Sequence, residues 1–203
     1  MKRSFVLLIM LALLFSLFSC REPDEDNVDY VEPPKEVTYL GDAVKLPEYK
    51  GLTVIRGINE SRGDAIWSVV LDGSEVTEYP ASFLSYYKSQ TLTKYKILAS
   101  EADMSYLELL ENLGLTEDDV EAEARALAKS ELVMMALIEK EGIVLTEDEK
   151  VRLFDRYAEK LAEKIGKEVS YVKEKHADDV LDTMLRDKMI EFLITQNTFV
   201  PEE

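Results

Sequence analysis

The sequence predicts a mainly α-helical protein with a short β or extended segment on its N-terminal side. Three observations lead there. From Asp64 onward, apolar residues recur at helical spacing instead of alternating. The same stretch carries helix starts such as Thr146-Glu-Asp-Glu149 and helix stops at Gly114, Gly142 and Gly166. Only two short runs are β-branched and aromatic, Val37–Leu40 and Leu52–Ile55, too few for an independent sheet. No cysteine follows Cys20, so packing and not disulfides must hold the fold, and an apolar content of 46% makes that feasible.

Residues 1–19 read as an export signal: Lys2 and Arg3, then a run from Phe5 to Phe18 that is almost wholly apolar. That run is about 14 residues, short of the roughly 20 that span a bilayer as a helix. Leu17-Phe18-Ser19-Cys20 resembles the bacterial lipoprotein box, in which the cysteine is lipidated and becomes the new N-terminus. The resemblance implies lipidation at Cys20 and a chain held on the extracytoplasmic side of a bacterial cell membrane. A plain secretory signal and an uncleaved anchor are the alternatives. Residues 20–36 are acidic and Pro-bearing, a flexible tether whose 16 residues after Cys20 reach roughly 50 Å when extended.

Residues 37–63 form the β or extended segment, and 64–199 the helical domain. Asp64 caps a short helix through Ile66, Trp67, Val70 and Leu71, with Asp72-Gly73 as its stop. Pro80 opens the next helix, where its missing N–H costs nothing, and that helix runs to Glu101. A shorter one covers Ser105 to Asn112. Thr116-Glu-Asp-Asp119 starts a long helix to Glu141, and Thr146-Glu-Asp-Glu149 starts one that stops near Gly166. Ser170 begins a short helix, and Asp178 to Gln196 is the last, with Pro201 beyond the final apolar contacts. In that last helix Leu181, Met184, Leu185, Met189, Phe192 and Leu193 share one face. Leu132 to Ile138 is apolar on all sides and is the expected centre, with Met134 and Trp67 as core.

Charge excludes several functions. The net charge is −17, and removing Lys2 and Arg3 with the leader takes it to −19. Such a surface repels phosphate backbones and anionic headgroups, so nucleic acid is not expected as a partner and the membrane link is the lipid. The chain has one histidine, His176, in a polar stretch that predicts a solvated ring. No phosphate loop, nucleophile elbow or metal-ligand spacing occurs, so no catalytic residue, cofactor or metal is assigned. With 41 Asp and Glu, carboxylate pairs carry no information, and the plain reading is a solubilising pattern.

The helix after Pro80 carries two apolar stripes: Leu84, Tyr87, Tyr95 and Leu98 on one, Phe83, Tyr86 and Ile97 on the other. One stripe suffices to join a core. The surplus faces either another helix or a client.

The order of segments resembles the C-terminal helical domain of bacterial trigger factor. The pieces are Tyr79-Pro80 with a Tyr-rich helix, then Ser105-Tyr-Leu-Glu-Leu-Leu-Glu-Asn-Leu-Gly-Leu-Thr-Glu-Asp-Asp119. Lys129-Ser-Glu-Leu-Val-Met-Met-Ala-Leu-Ile-Glu-Lys-Glu-Gly-Ile-Val-Leu-Thr-Glu-Asp-Glu149 follows, then Leu185-Arg-Asp-Lys-Met-Ile-Glu-Phe-Leu193. The Glu-Gly-Ile break before a Thr capping box is the most specific part. Upstream, Tyr49-Lys50-Gly51-Leu52-Thr53-Val54 is similar to the strand that ends that family's N-terminal domain. The family's prolyl isomerase domain cannot fit in the ten residues between Val54 and Ala65. Its ribosome-docking signature, Gly-Phe-Arg leading to Gly-Lys-x-Pro, is missing as well, so no ribosome is expected as a partner. The helical fold also resembles the chaperone part of periplasmic and surface-anchored foldases, without their parvulin domain.

The resemblance implies a holdase-type chaperone for unfolded or nascent exported polypeptides, with Phe83, Tyr86, Tyr87, Tyr95 and Tyr106 as client contacts. Tyr offers an apolar face with a polar tip, which suits varied clients. Membership in the peptidyl-prolyl isomerase family by descent, and a role as adaptor for one dedicated partner, are the other readings it leaves open.

Overall fold

The computed structural model describes residues 43–202. The leader, Cys20, the tether and the expected strand Val37–Leu40 lie outside the described residues. In chain order the elements are β1 (Val44–Lys45), β2 (Thr53–Arg56), α1 (Arg62–Gly73), β3 (Glu75–Val76), α2 (Ala81–Glu101) and α3 (Tyr106–Leu113). Then follow α4 (Glu117–Glu141), α5 (Glu147–Ile165), α6 (Val169–Lys175), α7 (Ala177–Thr195) and β4 (Thr198–Pro201). The mainly helical expectation holds. Of the described residues, one compact unit holds 43–144 and 186–202, and a second holds 145–185.

Helix boundaries follow local chemistry. Ser105, Thr116 and Thr146 each accept from a backbone N–H three residues on, and Glu108, Asp119 and Glu149 reach back to the cap N–H. These reciprocal bonds satisfy donors that a helix start would otherwise orphan. Gly142 ends α4 at φ 60°, where a Cβ would be strained. Asp64 is corrected from cap to third helical position. Ser61 caps α1 instead, accepting from the Asp64 N–H at 3.0 Å and donating its own hydroxyl to Asp64 Oδ2 at 2.6 Å. An acidic side chain in the first turn complements the helix dipole, which is why Asp64 looked like a start signal.

In the larger unit, α4 supplies the centre: Leu132, Val133 and Leu137 are fully enclosed and Met134 is buried. Trp67, expected in the core, is only half-buried. α1 inserts Ile66 and Val70. It approaches α7 so closely that a Cβ on Gly63 would lie 2.8 Å from Ile190 Cγ2. β1 pairs with β3 antiparallel, Val44 opposite Val76.

β2 pairs with β4 in parallel, Thr53 opposite Thr198 and Arg56 opposite Pro201. Strand β4, which the sequence did not predict, pairs through backbone as far as Pro201. Its partner lies about 145 positions away in sequence, and Asn197 fixes the register. The Asn197 amide accepts from the Leu52 N–H at 2.8 Å and donates to the carbonyls of Tyr49 (2.9 Å) and Leu193 (2.7 Å). Gly51 N–H adds a bond to the Gln196 carbonyl at 2.9 Å. One side chain thereby satisfies three backbone groups from two distant segments.

In the smaller unit Ala158, Ala162, Val172, Val180 and Met184 make the core, covered by Leu153, Tyr157 and Leu161 among others. The alanines stand four apart on α5, so α6 can lie close against that face. His176 is corrected from a solvated ring to a half-enclosed one, 17% exposed. It sits between α6 and α7: its N–H donates to Val172 O and its carbonyl accepts from Val180 N. Its ring meets Asp179 at 2.8 Å and Tyr171 at 5.5 Å between centroids. The apolar stripe of α7 divides between the units, Leu181 and Met184 in one core, Met189 and Leu193 in the other.

Candidate functional site

Three helices of the larger unit, α2, α3 and α4, build an arm whose end is the candidate site. α2 carries no side-chain cap and begins directly after Pro80. It ends at Glu101 with Ala102 as its C-cap, and Asp103 turns the chain at φ 52°, a conformation aspartate tolerates better than most residues. The Ser105 capping box then starts α3, and the Thr116 box starts α4. Bonds from Ser105 to Glu108 and from Thr116 to Asp119 hold those carboxyls below their usual range.

α2 and α4 are joined by charge as well as by packing. Lys94 is buried, and its ammonium meets Glu123 Oε1 on α4. Tyr95 donates its hydroxyl to Glu123 Oε2 at 2.7 Å, and Lys94 Nζ lies 4.8 Å from the Tyr95 ring centre. Burial first, then the Glu123 carboxylate, raise the Tyr95 phenol well above its ordinary value. Nearer the start of α2, Lys88 reaches Glu121 at 2.7 Å, an exposed pair that contributes little. The Tyr95 ring also joins Ala99, Leu109, Leu110 and Val120 in a small core under Leu98, Tyr106 and Leu115.

The five aromatics expected to meet clients do not line one open cleft. Phe83 and Tyr95 are buried, at 4% and 6% exposure, and offer no surface. Phe83 packs on Tyr87 with 5.2 Å between ring centres, and Tyr87 on Tyr86 edge-to-face at 5.2 Å. Tyr86, Tyr87 and Tyr106 are half-buried, with Tyr106 against the Tyr95 cluster. Of the surplus stripe of α2, Phe83 is buried and Tyr86 and Ile97 are half-buried.

Exposed apolar side chains stand instead at the arm's end: Met104 at 41%, Leu107 at 65% and Leu113 at 47%. Met104 lies against α3, its sulfur 3.3 Å from Asn112 Nδ2. The setting is acidic. No lysine or arginine stands between Lys96 and Arg125, while Glu101, Asp103, Glu108, Glu111 and the Glu117–Asp119 run do. Leu107 lies off the buried face formed by Leu109 and Leu110, and this mismatch, with the missing basic residues, was a readable signal. Single exposed apolar residues are ordinary, and three within ten residues make this segment the candidate site.

The described residues contain no cluster of ligands that could hold a metal ion, and none of their helices is long and apolar enough to cross a membrane. Comparison with protein-family models, with curated proteins and with solved structures finds no match to this chain.

Glu123→Ala leaves Lys94 buried without a counter-charge and should lower unfolding free energy by about 3–5 kcal/mol. Lys94→Met with Glu123→Gln removes both charges, keeps an acceptor for Tyr95, and should recover at least half of that loss in urea titrations. Equal losses in the two proteins would show that packing alone joins α2 to α4.

Proposed function

We propose that this protein is an extracytoplasmic, lipid-anchored holdase that binds unfolded exported polypeptides at the end of the α2–α3–α4 arm. The observation that carries the reading is the exposure of Met104, Leu107 and Leu113 in an acidic setting on a pre-formed helical support. Methionine adapts its shape and leucine presents apolar area, so varied sequences are accommodated. Acidic neighbours keep the patch soluble and disfavour contact between two copies of it. The segment resemblance to trigger factor and the Cys20 box supply the cellular setting. Binding and release are passive, and each contact is weak because ordering a client costs conformational entropy.

Full-length protein should slow the aggregation of several unrelated denatured proteins in light-scattering assays. Met104→Asp with Leu107→Asp should remove at least about half of that effect without loss of helicity, whereas Phe83→Leu should retain it. Undiminished activity in the double variant, or activity toward one client only, contradicts the reading.

Cys20→Ser should abolish incorporation of radiolabelled fatty acid and leave precursor or released protein. Lipid labelling that persists in this variant rules out the anchor.

A further inference from the structure

Among the described residues the outer edge of β2 carries no partner strand. Thr198 N–H donates to Leu52 O at 2.9 Å and Glu202 N–H to Arg56 O at 3.0 Å. These bonds turn the even-numbered residues of β2 toward β4. Thr53 and Ile55 therefore direct their N–H and C=O groups to the opposite side. Among the described residues the sheet has two strands, and none pairs with that side.

The two edges of this sheet are not equivalent. On β4 the outward positions are Phe199 and Pro201. Proline has no N–H to offer, and Arg62 lies over the Phe199 ring at 5.7 Å. Strand β2 has no proline, no bulge and no charge at its outward positions. Its solvent face carries Ile55 at 66% exposure beside Val200 at 37%, a cross-strand apolar pair in register. Just past the strand, Ile58 is 85% exposed. The turn there is closed by Glu60, whose N–H donates to Gly57 O at 3.2 Å and whose carboxylate accepts from Gly57 N–H at 3.0 Å. Val54, at 2% exposure, faces inward and anchors the strand.

We infer that this edge binds an extended polypeptide segment by strand addition, recognising backbone first and alternate apolar side chains second. Backbone recognition is blind to most of the sequence, which suits a surface that meets many unfolded chains. A second copy of this protein is a poor occupant. A four-residue edge buries far less than the roughly 1,200 Å² at the lower end of stable interfaces. Each copy also carries a net charge of −17 and repels the other. The same charge selects neutral or cationic segments. The inference rests on the holdase reading and adds a second, chemically different contact to it.

The test is fluorescence anisotropy of a labelled peptide, alternating valine and threonine with lysine at each end, titrated with full-length protein. Ile55→Pro removes the outward N–H while leaving the bonds to β4 intact, so the variant should keep its circular dichroism. It should bind the peptide about tenfold more weakly, as expected for one lost hydrogen bond at an edge. Ile55→Val should bind as the parent does. N-methylating the peptide at alternate residues should abolish binding in one register and spare it in the other. Equal affinity of parent and Ile55→Pro, or indifference to N-methyl register, overturns strand addition. Peptide binding that persists while aggregation suppression is absent supports the edge and rejects the holdase. Suppression that Met104→Asp with Leu107→Asp removes and Ile55→Pro leaves whole, together with equal peptide affinity of parent and Ile55→Pro, rejects the edge alone.

Discussion

A lysine ammonium withdrawn from water stays between two helices only while a carboxylate meets it. Lys94 and Glu123 satisfy that condition across α2 and α4, and the Tyr95 hydroxyl takes the second carboxylate oxygen. The rest of the arm depends on this arrangement. Removing one partner strands a buried charge, whereas sliding α2 along α4 breaks both bonds at once. The trio therefore fixes register as well as contact. Fixed register places the Asp103 turn, α3 and the exposed Leu107 at a defined point on the molecule.

A second constraint acts where the two ends of the larger unit meet. Asn197 ties the turn before β2 to the end of α7, and β4 adds its ladder. Near that join Tyr49 donates to Glu141 at 2.6 Å and Lys50 reaches the same carboxylate at 2.7 Å. Those two partners, Lys50 before Tyr49, hold the Glu141 carboxyl below its usual range. Burial chiefly, with that carboxylate, raises the Tyr49 phenol. Polar bonds at this join fix which groups meet, and the apolar centre of α4 supplies the bulk of the adhesion.

What the sequence made legible was local. Helix caps at Thr116 and Thr146 and the stop at Gly142 depend on residues within one turn of each other, so their chemistry can be read in order. Strands β1, β3 and β4 are two to four residues long and owe their existence to partners far away in the chain. No periodicity develops in so short a run. Burial was the other blind spot. The aromatic residues of α2 have the chemistry of client contacts, yet Phe83 and Tyr95 are buried, Tyr95 under Leu109 and Leu110 of α3 and Val120 of α4, which cover a face that a single helix leaves open. His176 misled in the opposite direction: its neighbours in sequence are charged, but Tyr171 and the start of α7 half-enclose its ring. The absence of basic residues between Lys96 and Arg125 was visible throughout, and it gained meaning only once Met104 and Leu107 proved exposed.

In the proposed holdase, unfolded polypeptide meets the protein at the arm's end and not along the aromatic face of α2. Photo-crosslinking tests it directly. A benzophenone side chain placed at position 107, and separately at position 83, is irradiated in the presence of a denatured client diluted from urea. Adducts are expected from position 107 and only background from position 83. Adducts from position 83 with none from position 107 rule out the arm's end as the binding surface.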